Sequence, residues 1–279
     1  MNATWRSDEP PPRARIGAGG WLRVGLRLTA LSVLIYGGLV ILLAVRLFER
    51  PLCGVNRPVT PWITRLVCCG TFRIIGLPLR AEGQPMTARG PIVANHASWL
   101  DIFAINACAR VYFVAKSEVA GWAGIGWLAR ATGTVFINRA GREARDQTAL
   151  LKERLRAGHR LVLFPEGTST DGQRVLAFKT ALFEALFHDD LALWVQPVSV
   201  IHHAPEGADP RFYGWWGDMD FAPHLLQVLA APRQGRSEIV FHAPVAVADF
   251  GGRKPLAARC EADVRAGVAE RLAARESVR

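Results

Sequence analysis

The sequence predicts an α/β protein, with a mostly parallel sheet flanked by helices, set behind a hydrophobic amino-terminal helix and an amphipathic second helix. Three observations lead there. From Leu28 to Val45 the chain runs without a charged residue. Past Gly83, short apolar runs alternate with amphipathic ones, the pattern of strands separated by helices. Polar residues then fall at the ends of several of those strands, where open α/β sheets place their ligand crevices.

In chain order, Met1 to Gly20 contains Pro10 to Pro12 and several arginines and reads as a disordered tail. The apolar run Leu28 to Val45 lies between Arg23 and Arg27 on one side and Arg46, Glu49 and Arg50 on the other. As a helix it extends roughly 27 Å against a hydrocarbon core of about 30 Å, so it either crosses a membrane or dips into one. It is longer than the core of a secretory signal, and no small-x-small cleavage site follows. After a linker from Pro51 to Pro58, Thr60 is expected to cap a second helix with Pro61 at its first position. Trp62, Ile63, Leu66, Val67, Phe72, Ile74 and Ile75 make this helix apolar, but Arg65 and Arg73 oppose full insertion. It is therefore expected at the membrane interface, its arginines reaching the head groups. Basic residues flank the first helix on both sides, so charge asymmetry assigns no orientation.

This organisation gives a tail at 1–20, an anchoring two-helix segment at 21–80 and one α/β domain at 81–279. Within the domain, strands are expected at Pro91 to Asn95, Val111 to Ala115, Thr134 to Asn138, Arg160 to Phe164, Leu193 to Ile201 and Glu238 to His242. Helices are expected at Trp99 to Ala109, Glu118 to Ala131, Glu143 to Ala157, Phe178 to Phe187 and Leu256 to Ala274. The aromatic and acidic segment Tyr213 to Leu226 reads as a packed surface loop, the alternatives being a segment seated on the membrane or a cover over an acyl chain.

With 34 Lys plus Arg against 24 Asp plus Glu, the net charge of +10 favours an anionic partner, nucleic acid or a bilayer surface. The chain has no Lys/Arg-rich run, no zinc-finger spacing and no aromatic-studded RNA-binding signature, which argues against nucleic acid. Cys53, Cys68, Cys69, Cys108 and Cys260 sit mostly in apolar stretches without a C-x-x-C pair, as in a reduced, cytosol-facing protein. His202 and His203 lack Cys or carboxylate partners at ligand spacing, so no metal and no cofactor are expected.

Four patches carry chemistry. The first runs from Asn95 and His96 through Ser98 and Trp99 to Asp101, where a buried strand gives way to a helix. A turn there folds the carboxylate back onto the imidazole and leaves the other ring nitrogen free to take a proton from an alcohol. This is a catalytic triad without its serine, suited to a substrate that brings its own hydroxyl. The second, Phe164-Pro165-Glu166-Gly167-Thr168-Ser169-Thr170, leaves a strand through Pro and Gly and sets a carboxylate beside exposed backbone N–H groups. The third is Phe136-Ile137-Asn138-Arg139, and Lys116 closes the preceding strand in the same manner, so two cations stand at strand ends able to hold an anionic head group. The fourth is Val195-Gln196-Pro197-Val198, whose proline reads as an edge or bulge residue.

Taken in that order after a hydrophobic segment, N-H-x4-D, F-I-N-R, F-P-E-G-T and V-x-P-V resemble the bacterial 1-acylglycerol-3-phosphate acyltransferase family over roughly Gly83 to Ile201. The resemblance implies a mixed sheet flanked by helices, a two-helix membrane element, no metal, and acyl transfer from acyl carrier protein or coenzyme A to a lysolipid hydroxyl. It implies His96 as base and Asp101 as its orienting carboxylate. Phe136 and Arg139 would shape the acceptor pocket, Glu166 and Gly167 would bind the acceptor's polar group, and Pro197 would support the acyl-donor side. Asn95, Lys116 and Thr168 complete the expected substrate-binding set. The place implied is the bacterial inner membrane, with the catalytic domain on the cytoplasmic side.

One departure separates this chain from members that use lysophosphatidate. They follow F-P-E-G-T with Arg and Ser, whereas here Ser169 and Thr170 stand in those places, removing a phosphate-pairing group. Members that acylate lyso-ornithine lipid resemble this chain in carrying Asp-Gly next, here Asp171-Gly172. Both acceptors remain open on the sequence, as do a lipid hydrolase using the same dyad and a non-enzymatic membrane module.

Overall fold

The computed structural model describes residues 4–9, 11, 15–137, 144–187 and 191–276, and their side chains except those of 144–148 and 275–276. Helix α1, Ala18–Cys53, takes in the whole apolar run and extends past it at both ends. Helix α2, Thr60–Ile75, packs along it. The two approach closely because glycines stand at the crossing. A Cβ on Gly38 would meet Val67 Cγ2 at 2.4 Å, and one on Gly70 would meet Leu34 Cδ2 at 2.8 Å. Each glycine costs a helix interior about 1 kcal/mol relative to alanine, a cost offset here by the contact it permits.

The start of α2 differs from expectation. Thr60 does not cap it. The buried carboxylate of Glu49 accepts from the Val59 and Thr60 N–H groups and from the Thr60 hydroxyl, so α1 itself caps α2. A full charge from a neighbouring helix satisfies more orphan donors than a threonine hydroxyl does. At the other end of α1, Arg23 donates to the carbonyl of Ala230, and Arg27 to those of Leu229 and Ala231. These carbonyls end helix α6, Phe221–Ala230, where helices leave acceptors unfilled.

The expected tail is not free where it is described. The Trp5 N–H donates to Thr168 Oγ1, its ring lies 6.2 Å from that of Trp216, and Arg174 sits over it. The indole thus has an aromatic and a cationic partner, while the backbone beside it is held by a hydroxyl.

The remaining elements are β1 Leu79–Glu82, β2 Ile92–Ala94, α3 Leu100–Cys108, β3 Tyr112–Lys116, α4 Ile125–Thr132, β4 Val135–Ile137, α5 Ala144–Arg156, β5 Leu161–Leu163, β6 Trp194–His203, β7 Arg236–Phe241, β8 Val245–Ala246 and α7 Arg253–Glu276. The sheet runs β1-β7-β6-β2-β5-β3-β4, with β8 on β6. Strands β6, β2, β5, β3 and β4 are mutually parallel, while β7 is antiparallel to β6, so the sheet is mixed and mostly parallel. Successive residues point to opposite faces: Ile92, Ala94, Val162, Val198 and Val200 join the core under α1, α2, α3 and α6, while Val93, Leu161, Leu163 and Ile201 join the core under α5 and α7.

Strand β1 and helix α6 were not expected. β1 begins before residue 81, within the segment assigned to the anchor, and pairs with β7. Arg80, Ala81 and Glu82 are all exposed and two of them are charged, so its apolar signal is weak. The expected helix at 118–131 is broken: a 3-10 turn at Ser117–Gly121 precedes α4, with Gly124 at φ 73° between them. The expected helix at 178–187 is a 3-10 helix at Thr180–Leu186. Pro197 is neither an edge nor a bulge residue, for it lies inside β6 opposite Val93. Its carbonyl accepts from the His242 N–H, and the side-chain amide of Gln196 donates to the His242 carbonyl, the acceptor that proline leaves without its ladder donor.

Candidate active site

The parallel strands end along one edge of the sheet, and the turn leaving β2 carries the dyad. His96 Nδ1 and Asp101 Oδ2 are 2.7 Å apart. The same oxygen accepts from the Ala97 N–H at 2.8 Å and the Ser98 N–H at 3.0 Å, so the carboxylate closes the turn as well as holding the ring. With an ionised carboxylate as partner, Nδ1 carries the proton and Nε2 is left basic. The His96 ring keeps 20% of its side chain exposed while Asp101 keeps none.

Asp101 has a second imidazole. His202, at the end of β6, brings Nε2 to 2.7 Å from Asp101 Oδ1, and its Nδ1 is 2.8 Å from Ser237 Oγ. Burial alone would raise the carboxyl of Asp101. Hydrogen bonds from His202 and His96 overcome it and hold the group well below the usual carboxylate range. The sequence shows no carboxylate near His202 at ligand spacing, and the one it meets lies 101 positions away.

The F-P-E-G-T turn after β5 supports the other side. The Phe164 ring stacks on that of His96 at 4.2 Å with 18° between planes. Glu166, buried, accepts the His96 N–H at 2.7 Å through Oε1 and the Leu176 N–H at 2.7 Å through Oε2. Expected to bind the acceptor's polar group, it accepts a backbone N–H at each oxygen and holds the His96 backbone from behind. Burial pushes its carboxyl up to about 7, against the two backbone hydrogen bonds that pull it down. Gly167 turns the chain at φ 72°, and the Thr170 N–H donates to the His96 carbonyl. The side chain of Thr168 is taken up by the Trp5 N–H. Asn95 is likewise internal, exchanging two hydrogen bonds of 2.8 Å with Val200 of β6.

The remaining described residues of the expected set do not touch the dyad. Lys116 ends β3, two strands from β2, and Phe136 lies in β4, three strands away, or roughly 10 and 14 Å across the sheet. Arg139 lies outside the described residues. Pro197 is buried in the sheet.

The segment 213–226, expected as a surface loop, is a wall of the site. The Trp215 N–H donates to the Ala97 carbonyl, Tyr213 and Trp216 are buried, and α6 begins at Phe221. His224 accepts from the Trp99 indole at Nδ1 and approaches the Phe212 carbonyl through Nε2. Burial lowers it to about 4, which keeps it neutral and suited to those two roles. Trp99, Phe103, Trp215 and Phe221 meet edge to face, and Trp122 extends the wall to the surface.

The chain is similar to known proteins in sequence and fold. Residues 81–201 match the family model described as Acyltransferase. A lyso-ornithine lipid O-acyltransferase from Rhodobacter capsulatus is 56% identical over 269 residues, covering 96% of this chain and 98% of that protein. A lyso-ornithine lipid O-acyltransferase from Brucella abortus is 40% identical over 218 residues, covering 74% and 79%. The crystal structure of a 1-acyl-sn-glycerophosphate acyltransferase from Thermotoga maritima matches with a TM-score of 0.63 at 25% identity, covering 90% of this chain and 95% of that one.

Proposed function

Because the chain belongs to this acyltransferase family and is a lysolipid acyltransferase, we propose that its acceptor is lyso-ornithine lipid and that His96 is the base that activates the acceptor hydroxyl. The single observation carrying the mechanism is His96 Nδ1 held 2.7 Å from a fully buried Asp101, with the ring still partly exposed. His96 Nε2 takes the hydroxyl proton as that oxygen attacks the carbonyl carbon of an acyl thioester. The tetrahedral intermediate collapses, the C–S bond breaks, and the imidazolium returns the proton to the departing thiolate, leaving an ester and a free thiol. The chemistry is the same whether the thioester is on acyl carrier protein or coenzyme A. Asp101 stabilises the transient imidazolium, and Glu166 holds the His96 backbone.

Three features support a phosphate-free acceptor. Ser169 occupies the place of the phosphate-pairing arginine, Asp171 is buried and turned onto Arg174 at 3.0 Å, and the Rhodobacter and Brucella relatives are lyso-ornithine lipid O-acyltransferases. Lys116 and Phe136 are assigned to the outer part of the acceptor groove on their place along the same edge.

Membrane attachment follows from α1. Leu22, Val33, Val40, Leu47 and Leu52 are exposed along its length, Leu52 at 82%. Both ends of α1 are nevertheless tied to the rest of the chain, through Arg23 and Arg27 to α6 and through Glu49 to α2. Fastened near both ends to neighbouring helices, with apolar side chains exposed between, α1 is assigned to one leaflet, entered along its side. We assign this attachment to the cytoplasmic face of the inner membrane, where acyl thioesters are made.

The test is expression in a strain that makes lyso-ornithine lipid and lacks its acylation, followed by lipid extraction. Appearance of ornithine lipid is the expected result. Acylation of added lysophosphatidate by the extracted membranes, above that of the parent strain and without ornithine lipid, would contradict the acceptor, and release of free fatty acid alone would identify a hydrolase.

A further inference from the structure

A cavity of about 850 Å³ lies on the opposite side of the sheet edge from His96. Its walls include Arg130 before β4 and Arg154 before β5, at the ends where those strands begin rather than where they finish. Arg46, Arg50 and Arg57 complete a set of five arginines. Among the described residues, Glu49 is the one carboxylate within ion-pair distance of them, 3.1 Å from Arg46. Arg57 and Arg154 are held in place by donating to the carbonyls of Ala131 and Gly133. Burial, then the guanidinium of Arg46, lowers the proton affinity of Arg57, and burial does the same to Arg154. The chain thus concentrates like charge in a partly desolvated space, an arrangement that costs stability until an anion enters.

The other wall is apolar. Leu39 and Leu43 come from the uncharged run of α1, and Trp127, 65% exposed, faces them from α4. The cavity therefore lies where the apolar part of α1 gives way to Arg46 and Arg50, so a helix lying in the interface sets apolar side chains and guanidinium groups side by side at the level of the head groups.

We propose that this cavity binds the phosphate diester of an anionic bilayer phospholipid, with the guanidinium groups on the phosphate and the acyl chains along Leu39 and Leu43. The site is distinct from the acceptor site and lies beyond the reaction. It rests on the membrane attachment proposed above and not on the identity of the acceptor. A soluble acidic carrier protein is a weaker fit, because a concave site with a lipid-depth leucine wall offers little to a convex polar surface.

The test is flotation of the full chain, released from detergent, with vesicles of phosphatidylcholine alone or with about a third phosphatidylglycerol. The wild type is expected to prefer the anionic vesicles. Each arginine neutralised should lower that preference about fivefold. Arg57→Gln with Arg154→Gln should therefore reduce it strongly while leaving binding to neutral vesicles intact. Should those two substitutions prevent folding, the exposed Arg50→Glu decides alone. Arg259→Gln, remote and paired with Asp263, should leave the preference unchanged. The proposal is overturned by an unchanged preference in the cavity variants, by an equal loss in Arg259→Gln, or by displacement with inorganic phosphate at matched ionic strength. Loss of acyl carrier protein capture in place of vesicle binding would overturn it too. Acyl transfer to lyso-ornithine lipid in neutral detergent micelles reports the proposed function separately.

Discussion

Two turns leave the same edge of the sheet, after β2 and after β5, and each buries a carboxylate beside His96, yet they hold it in different charge states. Asp101 receives four donors, two of them imidazoles, and stays ionised. Glu166 receives two backbone N–H groups and is pushed up to about 7. Burial is nearly complete at both, so burial does not decide the outcome; the number and charge of the donors do. The first turn is built to support a positive ring next to it. The second is built to hold that ring's backbone still.

The largest effect expected from breaking this contrast is at the shared histidine. His96→Ala should lower turnover by about 10² to 10⁴ with the fold intact by circular dichroism, and near-normal turnover in membranes would remove the ring from the mechanism. Next is the extra support on the Asp101 side. His202→Phe takes a charge-assisted donor from Asp101 Oδ1, and turnover should fall about tenfold while KM for the acceptor holds. A purely structural role for His202 would show as lost stability without that split.

A smaller effect separates the two carboxylates by pH. A folded value near 7 against 4.5 for the free side chain means that the Glu166 contribution is full below about 4.5 and fades as pH rises towards 7. Asp101 is shifted the other way, so its contribution is present above the ordinary carboxylate range and is lost as pH falls below it. Between pH 5 and 7 the melting temperature should therefore drift down, and Glu166→Gln should flatten the drift. A drift of the same slope in that variant would place its cause elsewhere. The smallest expected change is one of preference: Ser169→Arg should raise the use of lysophosphatidate relative to lyso-ornithine lipid a few-fold. An unchanged ratio would count against the role given to that position.

The dyad was legible because its partners are five residues apart and a single turn joins them. The strand cores were legible too, since runs such as Ile92–Ala94 and Leu161–Leu163 are buried on both faces and read as short apolar blocks. What escaped was long-range. His202 meets Asp101 only because β6 lies beside β2, and Glu49 caps α2 only because α1 folds back on it. Glu166 was read as facing substrate because a carboxylate beside glycine is ambiguous until its backbone donors are located. Helix α6 was hidden by its aromatic and proline content, and it forms because α3 supplies Trp99 to His224 and α1 supplies arginines to its last carbonyls.

Whether the imidazole and its carboxylate act as one unit is best measured by comparing single-turnover acyl transfer in His96→Ala, Asp101→Asn and the double variant. A carboxylate that works only through the ring has nothing left to contribute once the ring is gone. The double variant should then be no slower than His96→Ala alone. Losses that multiply in the double variant would show Asp101 acting on the reaction independently and would contradict the account.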